Sequence, residues 1–147
     1  MNILLVRHGD DDFDAGAASI GRAQMIENVH MIKKDAGVAP GAAYIVSSET
    51  RRAALSAEVL AEGLGVREVE NVSWLSDGTG RNPYGKLMEY ADVHDDAVVI
   101  AVTHLPEMRR ILTKAASAYE TAVDTDAARG DVYLIDTDAH IVKRIEK

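Results

Sequence analysis

The chain has 147 residues, a formal charge of −8 and no cysteine. That length suits a single domain, 1–147, around one core. The acidic balance, with no Lys/Arg-rich stretch, argues against a nucleic-acid partner, and the missing cysteines exclude disulfides, thiolate catalysis and Cys-ligated zinc. No apolar run approaches the ~18 residues of a membrane span, and the first one is too short for a secretory signal, so a cytoplasmic protein is expected.

Ile3-Leu4-Leu5-Val6 predicts a buried strand over Asn2–Val6 that closes on Arg7-His8-Gly9. In open α/β sheets, the carboxyl ends of strands are where ligands bind. There Arg7 can fork onto an anion such as phosphate, and His8 can be nucleophile, acid or base near neutral pH. Gly9 lets the backbone turn and a ligand come close. The acidic run Asp10-Asp11-Asp12-Phe13-Asp14 follows. It is rejected as a calcium loop, because Ala15 replaces the required glycine and Gly21 stands where the last glutamate should be. It reads as a solvated loop; the sharper alternative is that these acids, at the mouth of a site, repel free polyanions and favour a protein substrate with basic flanks.

Met25, Val29, Ile32 and Ala36 then share a helical face, with Gly37 as its C-cap. A strand over Ala43–Ser47 leads into Ser47-Ser48-Glu49-Thr50-Arg51-Arg52. Ser47 or Ser48 would cap the next helix, with Glu49 in its first turn and Leu55, Val59, Leu60 and Leu64 on its inner face. That first turn offers free N–H groups, to which Arg51 and Arg52 add full charges. A strand over Val66–Glu70 and a helix carrying Tyr84, Leu87, Met88 and Ala91 come next. The strand Ala97–Thr103 ends at His104, and Pro106 opens a helix carrying Met108, Ile111, Leu112, Ala115 and Tyr119. Two last strands, Val132–Asp136 and Ile141–Ile145, are joined by the hairpin turn Thr137-Asp138-Ala139-His140. Strands alternating with helices predict an α/β fold: a three-layer α/β/α sandwich with a mainly parallel central sheet.

A parallel sheet sets its strand ends along one edge, so Arg7, His8, Arg52 and His104 can converge on one pocket. Two guanidinium groups and two imidazoles around one point suit a phosphoryl group, whose transfer needs positioned cations. The arginines would disfavour protonation of His8 and keep its imidazole free to attack phosphorus. His30, His94 and His140 are scattered, with no spacing suited to zinc, and no Walker or dinucleotide fingerprint is present.

Leu5-Val6-Arg7-His8-Gly9, then Ser47-Ser48 with Arg52-Ala53 and Ser56-Ala57-Glu58, then Thr103-His104-Leu105-Pro106 resemble, in that order, the motifs of the histidine phosphatase superfamily. That superfamily includes phosphoglycerate mutase and acid phosphatases, and the compact length looks most like its small SixA-like branch of phosphohistidine phosphatases. The resemblance implies a phosphoglycerate mutase-like fold and a set of roles. His8 would carry the phosphoryl group as a transient phosphohistidine. Arg7 and Arg52 would hold phosphate oxygens together with Gly9, and His104 would donate to the phosphoryl group. Arg52, rather than Arg51, holds the family register. No metal or organic cofactor is implied. Larger members place an acidic residue after a third strand, about where Asp77 lies, and Asp77 could protonate a leaving group. The small branch manages without a fixed acid, which favours a good leaving group such as the imidazole of phosphohistidine.

Two departures from the pattern stand out. The second-histidine motif usually reads Gly-His-Asn-Pro, so Leu105 loses a polar side chain there, and of the usual helix-start pattern after the first motif only Gly21 remains. The expected function is a cofactor-independent phosphatase acting on a phosphorylated protein, through its phosphohistidine, or on a small phosphoester. The rival is a non-catalytic phosphate-binding regulatory module on the same fold.

Overall fold

Alternation of side chains along the strands builds two apolar layers. In β1 (Asn2–Arg7), Leu4 and Val6 join one core, Ile3 and Leu5 the other. All four are fully buried, which is why the segment reads as a continuous apolar run. β2 (Ala43–Ser48) and β4 (Val98–Thr103) repeat the pattern, with Ile45, Ile100 and Val102 on the first side and Val46, Val99 and Ala101 on the second. The first side is covered by α1 (Ile20–Asp35) through Met25, Val29 and Ile32, and by α2 (Arg51–Leu64) through Ala53, Ala57, Leu60 and Leu64. The second is covered by α3 (Pro83–Val93) and α4 (Leu105–Ala118), which contribute Leu87, Ala91, Met108, Ile111, Leu112 and Ala115. The result is a three-layer α/β/α sandwich. This computed structural model describes residues 1–35, 38, 41–76 and 82–147. Ala36 and Gly37, expected at the end of the first helix, lie outside the described residues.

The sheet has the order β3-β2-β4-β1-β5-β6, with β3 over Val69–Val72, β5 over Val132–Asp136 and β6 over Ile141–Arg144. β1 to β4 run parallel, while β5 is antiparallel to β1 and β6 to β5. β1 and β4 are neighbours in the register Arg7↔Thr103, and the His8 N–H donates to Thr103 O at 3.0 Å. His8 and His104 are therefore the next residues along two adjacent parallel strands. β2 lies on the far side of β4 with Ser47 opposite Val102, which brings Ser48 to the same edge. Because β5 is antiparallel, it starts where β1 stops, Val6 facing Val132, and delivers residues 127–131 to that edge too.

β3 begins at Val69 rather than Val66. Gly65 ends α2 in the left-handed conformation (φ 70°), and the Val66 N–H donates to Ala61 O at 2.9 Å, a Schellman closure. Val66 belongs to this cap and packs on the first core. Residues 137–140 form the expected turn between β5 and β6. Among the described residues no helix is long and apolar enough to cross a membrane.

Candidate active site

His8 leaves β1 only 5% exposed, and its Nδ1 lies 2.7 Å from Gly9 O. A carbonyl oxygen only accepts, so Nδ1 carries the proton and Nε2 keeps its lone pair. That lone pair faces Arg52, whose Nε donates to Nε2 at 3.2 Å. Burial above all pushes the His8 pKa below its ordinary value, and the charges of Arg52, Arg7 and Arg129 add to this against the opposing bond to Gly9 O. The ring is a neutral imidazole held in one tautomer.

Arg52 stands in the first turn of α2. The residue preceding this helix is Thr50, in extended conformation (φ −67°, ψ 147°), so Ser47, Ser48 and Glu49 come before the cap rather than forming it. Ser56, one turn on, donates from Oγ to Arg52 O at 2.7 Å and accepts the Gly9 N–H at 3.0 Å, tying α2 to the loop after β1. The far end of the Arg52 guanidinium, Nη2, lies 3.5 Å from His104 Nδ1. Arg51 turns away to pair with Asp14 at 2.5 Å on the exposed side.

His104 is the N-cap residue of α4 and is 2% exposed. Its Nε2 lies 2.9 Å from both Ser48 Oγ and Thr50 Oγ1, and Ser48 Oγ is 3.2 Å from Ser76 Oγ. The two imidazole rings are 5.1 Å apart and tilted by 58°. Leu105, in place of the polar residue of the usual pattern, packs against the second core.

The Arg7 Nη1 donates to Ala127 O at 2.6 Å, and its Nε is buried with no hydrogen-bond partner among the described residues. The Arg7 pKa is lowered by burial, then by Arg129, Arg109 and Arg52, while Asp131 opposes them. A crowd of guanidinium groups in a chain of net charge −8 makes a local centre suited to an anion. Gly9 is placed by packing. Its N–H is taken by Ser56, and a Cβ on it would lie 2.8 Å from Gly21 O. Gly21 is tighter still, since its Cβ would lie 2.2 Å from Asp10 O. The glycine retained at the start of α1 lets that helix rest on the loop that carries His8.

The acidic run is a surface loop, as expected, with Asp11 and Asp14 exposed, but three of its carboxylates have partners. Asp12 accepts from Gly21 N at 2.9 Å, Ile20 N at 2.6 Å and Ser19 Oγ at 2.7 Å, bonds that hold its carboxyl below the usual range. It satisfies the first N–H groups of α1 from across the loop. Asp10 faces Arg129 and Asp14 faces Arg51. Asp77, the sequence's candidate acid, lies outside the described residues. Among the described residues no group of three or more His, Asp or Glu is placed to hold a metal ion.

Sequence reasoning brought His8, Arg52 and His104 to one edge, and the structure sets them in contact. It did not assign roles to Thr50, Ser76, Ser56 or Arg129. Ser56 had a signal, one helical turn after Arg52 and facing the glycine loop. Arg129 had none, because its place depends on the direction of β5.

No family model matches the sequence, and neither does any curated protein. Solved structures do. A SixA phosphohistidine phosphatase from Agrobacterium tumefaciens is 20% identical, with a TM-score of 0.66 over 99% of this chain and 95% of that one. The protein histidine phosphatase SixA bound to tungstate is 15% identical, with a TM-score of 0.68 over 99% and 95%. A phosphoglycerate mutase from Plasmodium falciparum is 20% identical, with a TM-score of 0.64 over 99% and 89%. A phosphoserine phosphatase from Entamoeba histolytica is 14% identical, with a TM-score of 0.64 over 99% and 95%. The chain has the phosphoglycerate mutase-like histidine phosphatase fold over nearly its whole length.

Proposed function

We propose that this chain, with the histidine phosphatase fold, is a cofactor-independent phosphatase that passes the phosphoryl group through His8. The observation that carries the reading is Arg52, which reaches His8 Nε2 at 3.2 Å and His104 Nδ1 at 3.5 Å with one guanidinium. An incoming phosphoryl group offers better acceptors than the His8 ring, so Arg52 exchanges its N–H···N bond for charge-assisted N–H···O ones. Arg7, whose charge acts on His8, supplies a second cation beside the same group. The lone pair of His8 Nε2 attacks phosphorus as the bond to the leaving group breaks, and the leaving atom departs with that electron pair and takes up a proton. His104 donates to a phosphoryl oxygen. Water then attacks the phosphohistidine, releasing phosphate and returning neutral His8.

For substrate we put protein phosphohistidine first and a small phosphoester second. Proteins of this fold include a protein histidine phosphatase and a phosphoserine phosphatase, so the fold serves both classes. Asp77 is carried as the candidate proton donor for esters with poor leaving groups. The test is phosphate release from a phosphohistidine protein and from an aryl phosphate, by wild type and His8→Ala side by side. Turnover lost in the variant is expected, and the ratio of the two rates assigns the substrate class. Phosphate binding without release across pH 5 to 8 would replace this reading by the regulatory binding module.

A further inference from the structure

We propose that Arg129 recognises a second anionic group on the substrate, beside the phosphoryl group, and that Asp10 holds this arginine between substrates. The inference rests on the phosphatase reading above and adds a specificity element to the same site.

Arg129 sits in the 127–131 segment that leads into β5, and this segment is bonded directly to the reacting end of β1. The Gly130 N–H lies 3.1 Å from Arg7 O and 3.2 Å from His8 O, the Arg7 N–H donates to Asp131 O at 3.0 Å, and Arg7 Nη1 donates to Ala127 O at 2.6 Å. The backbone is fastened from the other side as well. Asn28 Nδ2 and Lys147 Nζ donate to Gly130 O at 2.9 and 2.8 Å, and the Ala128 N–H donates to Asp131 Oδ2 at 2.8 Å. A fixed backbone thus presents a side chain that is 54% exposed at the rim of the site.

The neighbouring arginines differ in how firmly they are held. Arg51 pairs with Asp14 at 2.5 Å and Arg109 with Asp126 at 2.7 Å, whereas Arg129 reaches Asp10 at only 3.7 Å. An exposed pair of that length is weak and exchanges readily for a better-placed anion. Asp10 has other support, accepting from Gln24 Nε2 at 3.4 Å and donating its own N–H to Gln24 Oε1 at 2.9 Å, so it stays placed when Arg129 leaves. A carboxylate or a further phosphate on the substrate is the chemistry that draws Arg129 away. This runs opposite to the expectation that the acidic run at the mouth repels free polyanions.

The test is calorimetric binding to the 147-residue chain in a His8→Ala background, which stops turnover. The probes are phenyl phosphate and its 2-, 3- and 4-carboxy derivatives. The expected result is that one carboxy isomer binds about tenfold tighter than phenyl phosphate, the scale of a charge-assisted contact. Adding Arg129→Gln reduces that preference to under about twofold, and adding Asp10→Asn enlarges it by about threefold. The two substitutions move the ratio in opposite directions, which a loss of folding does not do. Absence of a preferred isomer, or a preference that survives Arg129→Gln, overturns the proposal. Failure of phenyl phosphate itself to bind overturns the phosphatase reading, and this inference with it.

Discussion

The ends of β1 and β4 are adjacent, parallel and in register, and each leads into a histidine, yet they build opposite environments. After β1 the chain enters a glycine loop, and His8 is fixed by a backbone carbonyl on one nitrogen while the other faces a guanidinium. After β4 the chain turns straight into a helix, and His104 is gripped at Nε2 by the hydroxyls of Ser48 and Thr50. Burial and cations favour the neutral form of the first ring, the form that the proposed nucleophile needs. The second ring presents Nδ1 toward Arg52, and this is the nitrogen from which the proposed donation to the phosphoryl group is made. Two identical side chains at equivalent strand positions are made different by a loop after one strand and a helix after the other.

The sharpest way to break this contrast is to remove each ring in turn. His8→Ala should lower kcat by at least about 10³-fold and leave no acid-labile phosphoenzyme after rapid quenching. His104→Ala should cost about 10²–10³-fold, the scale of losing one transition-state donor, yet still accumulate phosphoenzyme given time. Label retained in the His8 variant and lost in the His104 variant would exchange the two roles. Arg52 lies against both rings, so Arg52→Lys should cost about 10²-fold in kcat/KM, because an ammonium cannot fork onto two phosphoryl oxygens between them as a planar guanidinium does. A lysine variant within threefold of wild type would show that the bridge is incidental.

The loop after β1 leans on α1 in a way the end of β4 does not. Gly21→Ala puts a Cβ 2.2 Å from Asp10 O, a contact that only backbone movement relieves. We expect it to destabilise the fold by about 1–3 kcal/mol in urea unfolding, with a loss of activity from displacement of the Gly9-Asp10 loop. Unchanged stability would mean that α1 is not the support of the His8 loop.

The same asymmetry separates what was legible in the sequence from what was not. β1, β2 and β4 are buried on both faces, so Ile3 to Val6 and Val99 to Val102 announce themselves as runs, and a parallel sheet then brings Arg7, His8 and His104 to one edge. The hydroxyl grip on His104 was hidden because serine or threonine at a helix start reads equally as a cap. Ser48 ends β2 two residues before the cap, and its Oγ reaches across to the histidine that opens α4. The neighbourhood of Arg129 was hidden for a topological reason. Had β5 run parallel to β1, residues 127–131 would have lain at the opposite edge, and no local pattern encodes that choice. Asp12 was hidden by its company, since one helix-anchoring carboxylate within a run of acids carries no distinguishing mark.

The pH dependence sharpens the comparison further. The folded pKa of His8 lies below its ordinary 6.5, so between those two values the unfolded chain binds the extra proton. His8 thus contributes stability that is complete above about pH 6.5 and is lost as pH falls from there through the folded value. The acid limb of kcat/KM should lie below pH 6.5 for the same reason, since the free enzyme needs the neutral ring. Substituting His8 by Gln should flatten the stability slope in that window, measured by denaturant titration at several pH values. An acid limb above pH 6.5 would contradict a ring kept neutral by burial and arginines.

The smallest effect belongs to the hydroxyl grip on His104. Ser48 and Thr50 both lie 2.9 Å from Nε2, so either hydroxyl can donate to it when the other is gone. Ser48→Ala should therefore lower kcat by only about threefold to tenfold with KM nearly unchanged, since its target is ring orientation rather than substrate contact. Thr50→Val should behave alike. The double variant should lose more than the product of the single effects, because it removes both hydroxyl donors that fix which nitrogen faces Arg52. Strictly multiplicative losses would instead mean that each hydroxyl acts independently, and that Ser48 matters chiefly for its bond to Ser76.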